Sequence, residues 1–273
     1  MKKLLLALLS TSLFVVCSYG GVSVSPVITE MVIPLGATYT GQLAVTNTGD
    51  VPVVIEAYVR GFTAPRGTPL ILEPSQDDYP YSGRELLTVT PAHQEVGPNE
   101  MVYFDYTIHM PEELDPYGGR YVAVVFKIKP AASEAQVVTT ARVASLFLLV
   151  PTPDSKVRPH FSIRGMEISQ DPDDPRKVII RSVIANDGNL HINAGQVCAM
   201  IHVLDEDGYI IDEIPLRTHT MLPDTEYTHV EHWLASDDLP SGVYQFHLSA
   251  IIFGAVGEEP QHFFYLTQAQ LEF

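Results

Sequence analysis

The chain has little cysteine and few positive charges. It holds two cysteines in 273 residues, and its 16 lysines and arginines stand against 33 aspartates and glutamates, for a formal net charge of −17. An acidic surface repels phosphate backbones, because nucleic-acid binding depends on lysine and arginine. The sequence therefore argues against DNA, RNA and anionic lipid as partners. We interpret the acidity as a means of staying soluble.

The two cysteines cannot form an internal disulfide in the mature protein. Cys17 belongs to an N-terminal segment that we expect to be removed, so Cys198 is left alone. Domains without a disulfide are held together by packing. Cys198 lies in the apolar stretch 197–201, and the sequence predicts a buried, inert thiol there.

Long apolar runs are missing after the first residues. Two lysines precede an apolar run of about 14 residues ending at Cys17, whereas a membrane span takes about 20. This pattern predicts a secretory signal over residues 1–20, cleaved after Gly20. Loss of the two lysines takes the net charge from −17 to −19. The mature protein is expected in the periplasm or outside the cell, without membrane insertion; lipidation of Cys17 is the alternative, although Val16 is bulky for such processing.

Helical periodicity is also lacking, and strand signals recur at short spacing. Runs rich in β-branched and aromatic residues alternate with proline, glycine, asparagine and aspartate, which is typical of sandwiches and barrels. Residues 151–154 have the composition of a stiff linker, and the pattern restarts after them. The sequence predicts an all-β protein with two tandem immunoglobulin-like sandwiches, over residues 21–151 and 157–273, joined by a linker at 152–156.

Fourteen strands are predicted from these signals. The first contains Pro26, which indicates an edge strand because proline cannot donate to a ladder. The predicted strands cover residues 22–32, 39–46, 53–59, 86–90, 101–109, 121–129 and 137–150 in the first half, and 161–168, 177–185, 195–204, 209–214, 225–233, 244–252 and 261–272 in the second.

The two halves repeat one another. An Asn-x-Gly turn ends an early strand in each, within residues 46–50 and 185–189. A tyrosine just after a glycine-containing turn then opens a late strand in each, Tyr121 and Tyr244. This placement resembles the tyrosine corner of immunoglobulin-like sandwiches, in which the hydroxyl ties the preceding loop to the sheet. The same order in both halves predicts a duplicated sandwich.

The sequence contains no catalytic signature. It lacks a Gly-x-Ser-x-Gly elbow, a phosphate-binding glycine loop and a His-Glu-x-x-His pair. In the closest group of metal-binding residue types, strand alternation puts His229 and Glu231 on one face and His232 on the other, so three ligands do not converge. We interpret that segment as a solvated strand face.

Three acidic loops offer the oxygen ligands that calcium prefers. They cover residues 76–78, 171–174 and 205–208, and none has the Asp-x-Asp-x-Asp-Gly spacing with a distal glutamate. Aspartate and proline form turns readily, so we interpret these loops as turns. The sequence predicts no enzyme activity, no metal and no cofactor.

The most informative segment is 137–150, which reads VVTTARVASLFLLV. A half-buried strand alternates apolar and polar residues. This segment begins with such alternation, but from Val143 onward both faces are apolar except at Ser145. One face meets the domain's own core. The other meets either the second domain or an incoming strand of another protein, in the manner of β-augmentation.

Several stretches of the first half resemble the periplasmic chaperones of the chaperone–usher pilus pathway. The resemblance covers roughly residues 22–151. It implies two sandwiches set as an L that hold a protein subunit by donating a strand. The stretches that carry it are 22–26, 32–36, 43–49, 87–91, 96–100 and 141–151, the last of which resembles the final strand of the first domain and its closing proline.

The resemblance also implies two basic residues in the cleft that hold a subunit's terminal carboxylate, and the chain departs at both. Glu30 follows Thr29 where an arginine is expected, and residues 145–147 read Ser-Leu-Phe where a lysine is expected. Glu30 repels a carboxylate. The strand-pairing surface that the resemblance implies lies at four residues: Val137, Thr139, Ala141 and Val143.

These observations predict a non-enzymatic, chaperone-like binding protein outside the cytoplasm. Its expected partner is a secreted or surface protein subunit, bound by strand pairing. The alternative is a structural or adhesive module of the cell envelope that has no client.

Overall fold

The computed structural model describes residues 21–131, 140–152, 156–253 and 260–273. Within these ranges the regular structure is strand, apart from three single turns of 3-10 helix at Pro65–Gly67, Arg84–Leu86 and Ala194–Gln196. The prediction of an all-β protein with two sandwiches is confirmed. Across the described ranges, no helix has the length and apolar character needed to cross a bilayer.

Ten strands form the first sandwich. One sheet has the order β1-β3-β8-β6, and the other has the order β2-β10-β9-β4-β5, with β7 also paired to β4. The strands are β1 Val22–Ser25, β2 Ile28–Pro34, β3 Thr38–Asn47, β4 Val53–Thr63, β5 Leu70–Ile71, β6 Leu87–Thr90, β7 His93–Val96, β8 Met101–His109, β9 Arg120–Pro130 and β10 Ala141–Thr152.

Strict alternation builds the core between these sheets. On β8, the even-numbered residues from Val102 to Ile108 point inward, while Met101 and Tyr103 are exposed. The ring of Phe104 meets that of Phe126 at 5.0 Å in an edge-to-face arrangement. Burying one such side chain contributes roughly 1.5–3 kcal/mol, so the packed sheets can hold without a disulfide.

The chain changes sheets at Pro26. The sequence predicted a single edge strand over 22–32, but the structure has two: β1 pairs with β3 in one sheet and β2 pairs with β10 in the other. Proline has no N–H and cannot continue a ladder, so the pairing breaks there. As a result, neither piece covers the whole length of its neighbour.

Seven strands form the second sandwich. Its sheets have the orders β11-β12-β15 and β14-β13-β16-β17. The core centres on Trp233, whose ring lies 6.0 Å from both Tyr244 and Phe246. The strands are β11 Phe161–Gln170, β12 Lys177–Asn186, β13 Val197–Leu204, β14 Ile210–Leu216, β15 Thr225–Leu234, β16 Gly242–Ile252 and β17 Gln261–Leu271. The bounds of the linker stay a prediction; β10 includes Thr152, the first residue of the predicted linker, and β11 begins at Phe161.

The prediction of a buried thiol at Cys198 is wrong. Val197 and Ala199 point into the second core, so the residue between them on β13 points outward, and Cys198 is exposed. The apolar stretch gave no sign of this, because the outer face of that sheet also carries apolar residues such as Phe264 and Leu266.

The interpretation of 229–232 as a solvated face is wrong for one residue. Alternation on β15 puts His229 on the inward side with Trp233, and His229 is only 3% exposed. Its ring packs edge-to-face on Tyr227 at 4.3 Å and is stacked 6.2 Å from His219. Burial, and to a lesser degree the nearby His219, lowers the pKa of His229 to about 4.

Both apolar faces of β10 are covered from Leu146 onward. Phe147 and Leu149 belong to the core of the first sandwich. Leu146 and Leu148 belong to a second cluster on the outer face of the same sheet, which includes Leu222 of the second sandwich. The other buried members of that cluster are Phe62, Ala64, Tyr81, Tyr121, Ala123 and Val125. The second apolar face of β10 therefore packs against loops of the same chain and against the second sandwich.

Polar contacts join the two sandwiches around this cluster. The Tyr79 hydroxyl donates to the Pro223 carbonyl at 2.8 Å. The Gly119 N–H donates to the Asn189 carbonyl at 2.8 Å, and the Asn189 amide donates to the Tyr117 carbonyl at 2.9 Å. Polar backbone groups near the junction therefore have partners across it.

Candidate strand-pairing edge

The first five residues of β10 form an open sheet edge. From Ala141 to Leu149, β10 pairs antiparallel with β9. On its other side it pairs parallel with β2, but only from Leu146 to Thr152. Among the strands that the structure describes, none pairs with Ala141–Ser145 on that second side. We call these five residues the open edge.

The sheet change at Pro26 explains why the edge is open. The last ladder bond toward β2 runs from the Leu146 N–H to the Val27 carbonyl, at 2.8 Å. One residue earlier, the Ser145 hydroxyl donates to the Pro26 carbonyl at 2.7 Å. The chain preceding Pro26 pairs in the opposite sheet, so pairing along β10 ends at this point.

Strand geometry identifies the groups that face outward along the edge. The N–H and C=O groups of successive residues point to opposite sides of a strand. Because the Leu146 N–H points toward β2, the backbone groups of Ala144 and Arg142 point to the same side. The open edge therefore offers the backbone N–H and C=O groups of two residues to another strand.

Two of the four predicted partner-binding residues lie on this edge. Ala141 and Val143 are half-buried and pack against the margin of the first core. Ala144 packs against the cluster on the other face, while Arg142 is 59% exposed there. Val137 and Thr139 lie outside the described residues. The assignment of these four residues to a partner strand stays a prediction.

Basic side chains cluster on the outer face of the sheet beside the open edge. Arg142 and Lys127 are direct cross-strand neighbours on β10 and β9. Arg142 and Arg60 each approach one carboxylate, that of Glu73, with nitrogen–oxygen distances of 3.6 Å. Lys127 lies directly opposite Glu56 on β4, and among the described residues Glu56 forms its close ion pair with Lys129, at 2.6 Å. Positive charge thus exceeds negative charge here, in a chain that is acidic as a whole.

The cleft position that the resemblance assigns to a basic residue holds Glu30, which is 48% exposed and bonded across the domain junction. Its Oε1 lies 3.2 Å from Nε2 of His191, and its Oε2 accepts from the Asn193 amide at 3.1 Å. The hydrogen bond from His191 is the main cause that lowers the pKa of Glu30 below its usual value. This carboxylate therefore stays charged and does not favour an incoming carboxylate.

The two predicted corner tyrosines have different partners. The Tyr244 hydroxyl donates to the Pro240 carbonyl at 2.6 Å, four residues upstream in the preceding loop. The Tyr121 hydroxyl instead accepts from the His191 N–H at 2.8 Å and lies 3.2 Å from Nδ1 of the same residue. Tyr121 thus ties the first sandwich to the second, which its local sequence could not indicate.

In the acidic loop at residues 205–208, a carboxylate is hydrogen-bonded to backbone groups of its own turn. One oxygen of Asp205, Oδ1, accepts from the backbone N–H groups of Asp207, at 3.0 Å, and Tyr209, at 2.8 Å. Across the described ranges, no three histidine, cysteine, aspartate or glutamate side chains are grouped so that they could hold a metal ion.

No protein-family model and no curated protein matches this chain. Solved structures of chaperone–usher chaperones are similar to it over most of its length. The class 5 fimbriae chaperone CfaA is 15% identical, with a TM-score of 0.46 over 90% of this chain and 98% of that one. One chain of the CsuC–CsuE chaperone–tip adhesion subunit complex of Acinetobacter baumannii is 8% identical, with a TM-score of 0.44 over 89% and 98%. At such values the likeness carries no information about a partner.

Proposed function

We propose that this protein is a non-enzymatic, chaperone-like factor that holds a secreted or surface protein subunit by pairing one of the subunit's strands with the open edge. The observation that supports the proposal is the unpaired side of Ala141–Ser145, which adjoins a stretch of the same strand, Leu146–Leu149, that is paired on both sides. An incoming strand there extends the sheet in line with β2.

The chemistry of the edge suits β-augmentation. Main-chain hydrogen bonds to Arg142 and Ala144 supply affinity, and alternate side chains of the partner supply specificity. Partner side chains beside Ala141 and Val143 lie at the margin of the first core, where apolar groups leave water. Proteins usually blunt an exposed edge with proline, charges or a bulge. These five residues contain no proline and one charge.

A row of three hydrogen-bonded side chains crosses the domain junction, and its burial favours a binding role over catalysis. Glu30, His191 and Tyr121 line up in the order carboxylate, imidazole, hydroxyl. A reacting hydroxyl has to meet a substrate, but Tyr121 is 0% exposed. The arrangement therefore serves to hold the two sandwiches together.

The proposed site of action is the periplasm or the extracellular space, on the basis of the N-terminal signal. Mass spectrometry of the mature N-terminus tests this directly. A chain starting at Gly21 is expected. A lipid-modified Cys17 or an intact Met1 contradicts the proposed cleavage.

A proline substitution tests the edge itself. The Ala144 N–H points away from β9, so Ala144→Pro removes a donor on the open side and keeps the ladder to β9. Ala144→Ser is the matched control, because it keeps the donor. In the cells that make the protein, a photo-crosslinker at position 143 is expected to capture a client in the wild type and the serine variant, and to fail in the proline variant.

A charge on the inward side provides a second test. Ala141→Asp places a carboxylate where partner side chains are expected to be apolar, and it should reduce client capture at least tenfold, since burying an unpaired charge is costly. Equal capture by the wild type, Ala144→Pro and Ala141→Asp rejects the open edge as a binding surface. Complete absence of a client favours the alternative, a structural or adhesive module of the envelope.

A further inference from the structure

We infer that the strand accepted by the open edge carries an acidic side chain directly opposite Arg142. This inference rests on the proposed function and adds the chemistry of the partner. It concerns the side chains on the outer face of the sheet, whereas Ala141 and Val143 lie on the inner face.

Arg142 is the first charged residue of β10, lies within the open edge and is 59% exposed on the outer face of the sheet. A strand added to this edge puts one of its own residues opposite Arg142, with Cβ atoms about 4.5–5.5 Å apart. The side chain at that position of the partner therefore decides whether the local charge is balanced.

Positive charge is already present beside Arg142. On its other side Arg142 faces Lys127, and like charges directly opposite one another on neighbouring strands are destabilising. Glu73, a carboxylate in contact with Arg142, is shared with Arg60, and both contacts are 3.6 Å, which is long for a hydrogen bond. Arg60, Arg142 and Lys127 therefore outnumber the two carboxylates beside them, Glu73 and Glu56, and an acidic side chain on an added strand balances this excess.

The charge beyond the other end of the open edge has the opposite sign. Beyond Ser145 the next charged residue along the line of the added strand is Glu30, which is held in its charged form by His191. The edge thus presents positive charge near Arg142 and negative charge beyond Ser145. A partner strand that is acidic at the Arg142 end, and neutral or basic at the other, matches both ends.

Capped nine-residue peptides provide the probe. All carry valine at alternate positions, and the positions between hold glutamate, glutamine or lysine; a fluorescent label reports binding by anisotropy. The glutamate peptide is expected to bind about three- to tenfold more tightly than the glutamine peptide, and the lysine peptide most weakly. The differences should shrink at about 1 M salt, where the Debye length is about 3 Å.

Variants assign the preference to its residue. Arg142→Glu should invert the order of the glutamate and lysine peptides, and the matched control Arg181→Glu, an exposed arginine on β12, should leave it unchanged. Ala144→Pro should abolish binding of all three peptides.

The outcomes separate this inference from the proposed function. Equal affinity for the three peptides, lost in Ala144→Pro, leaves strand pairing standing and overturns the acidic partner. An unchanged order in Arg142→Glu also overturns it. No binding by any peptide, or binding that Ala144→Pro does not affect, counts against both. Self-association of the wild type that Ala144→Pro abolishes identifies a second copy as the occupant and again overturns the acidic partner.

Discussion

Glu30 on the first sandwich and His191 on the second are joined by a hydrogen bond, with 3.2 Å between Oε1 and Nε2. His191 is fully buried, and its Nδ1 and backbone N–H both lie against the Tyr121 hydroxyl. A neutral imidazole with its proton on Nε2 satisfies every one of these bonds, with the hydroxyl donating to Nδ1. The position that the resemblance gives to a carboxylate-binding base is therefore occupied by a contact between domains.

Glu30→Gln should weaken this junction in a pH-dependent way. The pKa of Glu30 is lowered in the folded protein, so its contribution is present above about pH 4.5 and is lost as the pH falls through the lower folded value. At pH 7 we expect a loss of about 1 kcal/mol, a modest figure because the side chain is half exposed. At pH values below the lowered pKa of Glu30 the variant and the wild type should converge. Thermal unfolding measured from pH 3 to 7 tests this, and a constant difference across that range contradicts it.

Tyr121→Phe and Tyr244→Phe should have different effects. Loss of the Tyr121 hydroxyl leaves the buried His191 N–H without its partner and should cost about 1–3 kcal/mol across the junction. Loss of the Tyr244 hydroxyl removes a bond within one loop of the second sandwich and should cost about 1 kcal/mol.

The single tryptophan makes these effects separable. Trp233 lies in the second core, so its fluorescence reports unfolding of that sandwich. In Tyr121→Phe the transitions seen by fluorescence and by circular dichroism should move apart in urea, because the sandwiches are less coupled. In Tyr244→Phe the fluorescence transition should shift to lower urea. Identical profiles for both variants contradict a junction role for Tyr121.

Two equivalent asparagines should be among the most sensitive positions for stability. The Oδ1 of Asn47 accepts from the Gly49 N–H at 3.0 Å, and its amide donates to a neighbouring loop at Gly97. In the second sandwich the Oδ1 of Asn186 accepts from the Gly188 N–H at the same distance. Both are buried, so replacement by alanine leaves buried backbone groups unpaired and should cost about 2–4 kcal/mol.

Each substitution should act on its own sandwich. In urea, Asn186→Ala should lower the midpoint of the fluorescence transition, and Asn47→Ala should act chiefly on the circular dichroism. Thr46→Ala, at a half-exposed position next to Asn47, serves as the control and should change stability by less than about 0.5 kcal/mol. A loss of stability below about 0.5 kcal/mol in both asparagine variants shows that the hydrogen bonds of Asn47 and Asn186 are dispensable.

Local pattern was enough to predict most strands, because most of them alternate strictly. The prediction 101–109 coincides with β8, where every second residue enters the core. The short strand β7, His93–Val96, was missed because four mostly polar residues give no periodicity to detect. The division of 22–32 was missed for a different reason. Proline indicated an edge, but which sheet each half joins depends on partners more than fifteen residues away.

The candidate site depends still more on long-range contacts. Apolar character on both faces of β10 was visible in the sequence, yet it reflects packing against Leu222 and the loops, and says nothing about the edge. The open edge exists because β2 begins pairing at Leu146. Tyr121 and Tyr244 share a local signature and differ only in what lies opposite them. Such features are set by register and domain contact, which a single sequence does not carry.

His229 should make the protein acid-sensitive in a range separate from that of Glu30. Its pKa falls from about 6.5 to about 4 on folding, chiefly because burial disfavours the charged imidazole. Between these values the unfolded chain binds a proton that the folded protein does not, so stability is lost as the pH falls from about 6.5 to 4, by up to about 3 kcal/mol.

Removing this imidazole should therefore flatten the acid limb of the stability curve. The Nε2 atom of His229 is buried without a hydrogen-bond partner among the described residues, so His229→Phe gives up no bond at that atom. We expect the variant to lose much less stability than the wild type between pH 6.5 and 4.5, as measured by urea unfolding followed through Trp233. His232→Phe, on the exposed face of the same strand, should keep the wild-type slope. Parallel pH curves for the wild type and His229→Phe show that the pKa of His229 is the same in the folded and unfolded states, contrary to its burial in the core.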